Sequence, residues 1–234
     1  MITIAILGGG FMAASHAANY AALGDRVRVK SIGSRRSDRA ADIAASVGAE
    51  LTDDLQSAVD DPDVDAIDIC LPTPLHREWT EASLAAGKHV FLEKPIALTL
   101  DDADAIVEYD GAEGIAEGSM AMPKAYPFSS NVRVLAEQGV AEYAFSAAPA
   151  EDGGNIGASD SARGLRLYLR ERAEPVSVAV EPADPWGPEI AYFVECVELG
   201  RAPEQGTGSQ ARAALAVSIA AARSLESGRP EDVS

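Results

Sequence analysis

The sequence predicts an α/β fold, with an N-terminal parallel sheet covered by helices on both faces and a smaller α+β region after it. Three observations predict it. Short runs, apolar at residues 2–7, 65–71 and 89–92 and alternating polar and apolar at 26–32, recur and are too brief for buried helices. Segments with helix start and stop signals lie between them, the alternation of a doubly wound sheet. A glycine turn, Gly8-x-Gly10-x-x-Ala13, stands directly between the first run and the first helix.

Ile2, Ile4, Ile6 and Leu7 make the first strand, and the glycines after it cannot continue it. In the turn, Gly8 allows a tight bend, Gly10 lets the backbone approach a pyrophosphate, and Ala13 is small enough for helix and strand to pack closely. The phosphates of a dinucleotide would sit on N–H groups where the helix starts, at Phe11 and Met12. Alone, the motif also fits a glycine-rich hairpin; the strand before it and the helix after it favour the nucleotide.

Arg26 to Ile32 alternates polar and apolar residues and reads as the second strand, ended by Gly33. The residues just past Gly33 bear on the cofactor. A site for NAD places Asp or Glu here for the ribose 2′-OH, whereas this chain has Ser34, Arg35 and Arg36. Two guanidiniums and a hydroxyl suit a 2′-phosphate, so NADP is expected over NAD. The competing reading is that the arginines merely open the next helix, with Ser37 as its cap.

Residues 37–47 and 53–59 read as helices, and residues 65–71 as a buried strand closed by Pro72-Thr73-Pro74. The next helix runs through Ala86 to a stop at Gly87, and residues 89–92 form another strand. Ligands of such sheets bind outside the carboxyl ends of the strands. The positions that matter are therefore Gly8 to Ala13, Ser34 to Arg36, Pro72 to His76, and Glu93-Lys94-Pro95.

Composition narrows the partners. The 234 residues include 37 acidic against 19 basic, a net charge of −18 that repels nucleic acid and anionic membrane. The 47% hydrophobic content supports a real core, and no apolar window is long enough to cross a bilayer, so a cytoplasmic chain is expected. Cys70 and Cys196 lack any ligand-like spacing and read as apolar filler, with no metal site expected. Only four basic residues are lysines, Lys30, Lys88, Lys94 and Lys124, and this acidic, lysine-poor composition resembles proteins of extreme halophiles. Where arginine is otherwise preferred, a lysine points to chemistry that a guanidinium cannot do.

The motifs together resemble a known family. Gly8-x-Gly10-x-x-Ala13 with His16-Ala17, Pro72-Thr73-Pro74-Leu75-His76, and Ala85-Ala86-Gly87-Lys88-His89-Val90 leading to Glu93-Lys94-Pro95 are similar to the Gfo/Idh/MocA oxidoreductases, the group of glucose-fructose oxidoreductase and inositol dehydrogenase. The resemblance is close over residues 1–118. It implies a Rossmann domain there and a second domain over residues 119–234, leaving open whether the final helix packs back on the first. It also implies that Lys94 lies beside the nicotinamide and the substrate hydroxyl, next to a commonly cis Pro95. A partly desolvated ammonium in that crevice can exchange protons near neutrality. His76 has two readings, a contact to the ribose or a cap on the following helix.

Beyond residue 118 the likeness is looser. Lys124-x-Tyr126-Pro127 resembles a substrate-side segment of the family, residues 128–138 read as a helix stopped by Gly139, and residues 142–148 as a strand. Gly153-Gly154-Asn155 resembles the opening of a glycine-rich turn and helix on which relatives carry an aspartate and, four residues on, a histidine. Here those positions hold Ser159 and Arg163, and an arginine cannot act as a base. Residues 175–181 suggest a last strand, and residues 188–199 and 209–227 two helices. Little else remains, so at most a two-stranded remnant of the family's substrate sheet is expected, which casts doubt on its sheet-to-sheet dimer while leaving a homo-oligomer open. The implied activity is NADP-dependent hydride transfer on a sugar or polyol. The alternative is a catalytically silent dinucleotide-binding sensor.

Overall fold

The computed structural model describes residues 1–35, 37–107, 128–147, 162–180 and 186–233. They form two compact units, one of residues 1–119 with 185–234 and one of residues 120–184.

The first unit holds a five-stranded, all-parallel sheet in the order β3-β2-β1-β4-β5. Its strands are β1 (Ile2–Leu7), β2 (Val27–Gly33), β3 (Glu50–Thr52), β4 (Ala66–Ile69) and β5 (His89–Leu92). They alternate with α1 (Phe11–Ala22), α2 (Ser37–Val47), α3 (Leu55–Asp60) and α4 (His76–Ala85), and α5 (Leu100–Val107) comes after β5. Side chains of a strand alternate between faces, and the core divides accordingly. Ala5 and Leu7 face a cluster with Ile67, Ile69, Val90, Leu92 and Trp79, whereas Ile4 and Ile6 face Ala13, Ala17, Tyr20, Ile32 and Phe91. Burial of both faces explains why β4 reads as an apolar run broken only by Asp68. Strand order reverses between β1 and β4, so a ligand crevice of the doubly wound kind opens there. No helix among the described residues is long and apolar enough to cross a membrane.

Two further helices belong to this unit. The helix α6 (Trp186–Leu199) adds Ile190 and Val194 to the face of α1, and α7 (Gly208–Ser227) adds Ala211 to the opposite face.

The second unit holds a four-stranded antiparallel sheet, β6-β7-β8-β9, of Phe128–Ala136, Gly139–Ala147, Ala162–Leu169 and Val176–Val178. This corrects three expectations. Residues 128–136 are a strand rather than a helix, because Val132-Arg133-Val134 alternates and carries β-branched residues suited to a pleated surface. Residues 162–169 are likewise a strand, with Leu165 and Leu167 more buried than Arg166 and Tyr168, a period of two. The sheet therefore has four strands instead of two. Gly139 opens β7 where a Cβ would lie 2.2 Å from the Tyr168 carbonyl oxygen, so only glycine permits that approach.

Candidate functional site

The crevice is built from the chain just past β1, β2, β4 and β5. After β1, the Gly8 N–H donates to the Gly33 carbonyl at 2.7 Å, and Gly8 has φ +133° with the Cys70 carbonyl only 2.4 Å from where a Cβ would stand. A side chain is excluded there on both counts. A Cβ at Gly10, by contrast, would meet nothing within 4 Å, and Gly10 caps α1 with no side chain accepting from the helix start and no acid in its first turn. The first turn thus has N–H groups that no side chain caps and the positive end of a helix dipole, which suit a phosphate. Ala13 is fully buried under the turn. Phe11 stacks edge-on against Trp186 at 6.1 Å, and Met12 is half-buried.

After β2, Ser34 is buried, with its N–H donating to the Thr52 carbonyl at 2.8 Å, and Arg35 is exposed. Arg36 lies outside the described residues. After β4, Pro72 leads into a 3₁₀ turn over Thr73–Leu75. His76 stands at the start of the helix that follows. It is 1% exposed, and its ring nitrogens lie 2.8 Å from the Leu71 carbonyl oxygen and 2.9 Å from that of Pro95, tying the end of β4 to the loop after β5. It begins α4 without capping it, because Leu75 occupies the cap position. A groove alongside, lined by Thr73, Arg77, Glu81, Leu98 and Asp102, has its guanidinium already paired with Glu81 and Asp102.

After β5, the Lys94–Pro95 peptide is cis and the Lys94 side chain is 44% exposed. The Glu93 N–H donates to the Ile69 carbonyl at 3.1 Å. Its carboxylate lies between two elements: Oε2 accepts from the Lys94 backbone N–H at 3.0 Å, and Oε1 is 3.2 Å from His16 Nε2 on α1. The other ring nitrogen, Nδ1, is 2.9 Å from Asp68 Oδ2, and the Cys70 thiol lies 3.4 Å from Nδ1 and 3.3 Å from Asp68 Oδ1. Burial alone would strip the proton from His16, but the Asp68 charge and hydrogen bonds to Asp68, Cys70 and Glu93 outweigh it and hold the ring protonated far above the usual range. Glu93 is held below its ordinary value: burial opposes ionisation, and the hydrogen bond and charge of His16 win. Burial and the Asp68 charge push the Cys70 thiol up, so it stays protonated.

His16, Asp68 and Cys70 place ligand atoms within 4.8 Å of one another, a clustering that cysteine spacing does not signal. A ring with both N–H groups on carboxylates has no lone pair for a metal. The sequence does carry a trace of this cluster, because an aspartate inside the buried run of residues 65–71 needs a buried partner of opposite charge.

One unit of the structure thus brings together Gly8, Gly10, Phe11, Met12, Ala13, Ser34, Arg35, Pro72, Thr73, His76, Glu93, Lys94 and Pro95. Of the substrate-side residues, Lys124, Tyr126 and Ser159 lie outside the described residues. Arg163 stands in β8 opposite Phe145, in the second unit and on a strand rather than the expected helix.

With that geometry in place, residues 2–114 match the GFO_IDH_MocA family, described as an oxidoreductase family with an NAD-binding Rossmann fold. The chain is 37% identical over 113 residues to a 4-carboxy-2-hydroxymuconate-6-semialdehyde dehydrogenase of a Sphingobium species, covering 48% of this chain and 36% of that one. It is 36% identical over 116 residues to the levoglucosan dehydrogenase of Pseudarthrobacter phenanthrenivorans, covering 46% and 30%. The match thus spans about a third of the length of these curated relatives. A solved levoglucosan dehydrogenase in complex with NADH shares the fold over 100% of this chain and 99% of its own, with a TM-score of 0.69 at 16% identity.

Proposed function

Because residues 2–114 belong to the Gfo/Idh/MocA oxidoreductases, we propose that this chain is an NADP-dependent oxidoreductase acting on a carbinol or hemiacetal carbon of a sugar or polyol-like substrate. The observation that carries this reading is the placement of Lys94, at the carboxyl end of β5, in the same crevice as the Gly8–Ala13 turn, with Glu93 linked directly to α1. The residues present fit a dinucleotide: Gly10 and the uncapped start of α1 would hold its pyrophosphate. Ser34, Arg35 and Arg36 would hold a 2′-phosphate where an acid would select NAD.

Bound NADP supplies the hydride acceptor. Lys94, as the neutral amine, takes the hydroxyl proton as the carbon–hydrogen bond gives up its hydride, leaving a carbonyl and an ammonium; in the reverse direction it returns the proton. The names of the relatives, which include sugar dehydrogenases, support the substrate class. Cys70 and Cys196 are unpaired thiols, in keeping with a reducing cytoplasmic setting. A second reading, a silent dinucleotide-binding sensor, draws on one fact: where relatives are expected to carry a histidine this chain has Arg163, which cannot exchange a proton.

The deciding experiment is a screen of sugars and polyols, at several KCl concentrations, that tracks absorbance of the reduced cofactor in parallel with NADP and NAD titrations. Turnover with at least one polyol supports the enzyme; NADP binding with no turnover under any condition moves the protein to the silent reading.

A further inference from the structure

We propose that Asp68, His16 and Glu93 form a buried charged bridge that positions Lys94, with His16 as a positioning residue; this rests on the oxidoreductase reading of the same crevice. His16 shares the inward face of α1 with Ala13, Ala17 and Tyr20, pointing at the sheet beneath the phosphate turn. Asp68 is 0% exposed in the middle of β4, His16 is 1% exposed, and the side chains of Glu93 and Lys94 are 12% and 44% exposed, so the bridge runs from core to crevice. The two Glu93 oxygens face opposite ways. Oε1 meets His16 Nε2 at 3.2 Å, while Oε2 accepts from the Lys94 backbone N–H at 3.0 Å and lies 3.9 Å from its ammonium. Fixing one oxygen on α1 therefore fixes the peptide from which the Lys94 side chain leaves.

The bridge works only with a charged ring. A neutral imidazole donates from one nitrogen, yet both nitrogens here face carboxylate oxygens, which calls for two N–H groups. Charges then alternate along the row, Asp68 negative, His16 positive and Glu93 negative, with the Lys94 amine at the crevice end. The groups facing the ring are Asp68 of β4 and Cys70 just past it, and Phe91 of β5, at 5.4 Å, with Glu93 just past it; Tyr20, one turn along α1, is buried on the same helix face. Stability of the core would need only the Asp68–His16 pair. The second link goes to the residue that precedes the lysine, and that is what marks the bridge as positioning.

The test uses the full chain and the variants His16→Gln, Glu93→Gln and their combination. A glutamine at position 93 offers one acceptor oxygen for two donors and is less buried than position 16, with 12% of the Glu93 side chain exposed, so this variant remains informative if the His16 one fails to fold. After reductive ¹³C-methylation, the Lys94 NMR signal, assigned through Lys94→Arg, is expected to move in both single variants and no further in the double. With a substrate, kcat is expected to fall about tenfold or more in each single variant and no further in the double, while KM and NADP affinity stay within about threefold. In ¹⁵N-histidine spectra of the wild type, both His16 nitrogens are expected to stay protonated from about pH 5 to 9. A Lys94 signal unmoved in the folded variants, additive losses, or a His16 ring that titrates in this window overturns the bridge. If the wild type turns over no polyol, the oxidoreductase reading fails by itself, and the Lys94 and His16 signals still decide the bridge.

Discussion

Lys88 and Lys30 show what a lysine does in a chain that mostly uses arginine. The Lys88 ammonium donates to the carbonyls of Asp61 and Val64, each at 2.7 Å, and Lys30 pairs with Asp61 at 2.6 Å and Asp63 at 2.9 Å. Each is a compact cation on a flexible stem, converging on two oxygens. Lys94 differs in standing beside the crevice, 44% exposed, where the proposed hydride transfer needs a group that can both hold and release a proton. Lys94→Arg keeps the charge and cannot release the proton, so turnover is expected to be lost while NADP affinity stays nearly intact; a rate close to wild type would remove Lys94 as acid/base. The 2′-phosphate reading is checked nearby: Arg35→Ala with Arg36→Ala should lower NADP affinity and leave NAD affinity unchanged, and equal losses for both cofactors would remove it.

His16 and Glu93 also set a pH dependence whose sign comes from their shifts. The folded state raises the proton affinity of His16, so its stabilisation is complete below the unfolded value of about 6.5 and declines as pH rises, by about 1.4 kcal/mol per pH unit. Glu93 is shifted down, so its share is complete above about pH 4.5 and declines as pH falls below that. Calorimetry at fixed salt should therefore show a melting temperature that decreases from about pH 6.5 toward 9, and a His16→Gln variant that lacks this slope. The glycine turn and Lys94 are legible in the sequence because their chemistry is local. The bridge is not, because His16 and Asp68 lie 52 residues apart and meet only through tertiary packing.

At the scale of elements, the helices and longer strands of the first unit are legible because their start and stop residues agree with their hydrophobic period. The three-residue strand β3 is not, because Glu50 and Leu51 are exposed and leave no alternation to read. In the second unit, the register of the family likeness points to a helix at β8 and masks the alternation of Leu165 and Leu167. The last helix offers a quantitative check. Thr207 Oγ1 accepts from the Gln210 N–H at 3.3 Å, and Gln210 Oε1 accepts from the Thr207 N–H at 3.1 Å, a reciprocal capping box. Farther along, Arg212 pairs with Asp104 of α5, fastening the helix to the sheet-covering layer. Thr207→Ala is expected to cost about 1 kcal/mol in denaturant unfolding at fixed salt. A loss of only a few tenths would mean that packing on α5, and not the cap, sets where α7 begins.

At the scale of the whole molecule, a net charge of −18 on 234 residues is a repulsion that the fold carries throughout. Ion pairs such as Arg26–Glu198 and Arg77–Asp102 offset it locally, but 37 acids cannot all be matched by 19 bases. Mobile counterions must supply the remainder, and the Debye length sets how much salt that takes: about 10 Å at 0.1 M and about 3 Å at 1 M. The melting temperature is therefore expected to rise steeply from dilute buffer to a few tenths molar KCl and to level off near 1 M, once screening reaches the spacing between neighbouring surface charges. Choline chloride at equal ionic strength should reproduce the rise if screening is its cause. A rise that continues well above 1 M, and with KCl only, would point to potassium ions bound at specific carboxylates, while a melting temperature that is flat or falls with salt would remove the halophile reading and leave the acidic surface serving solubility alone.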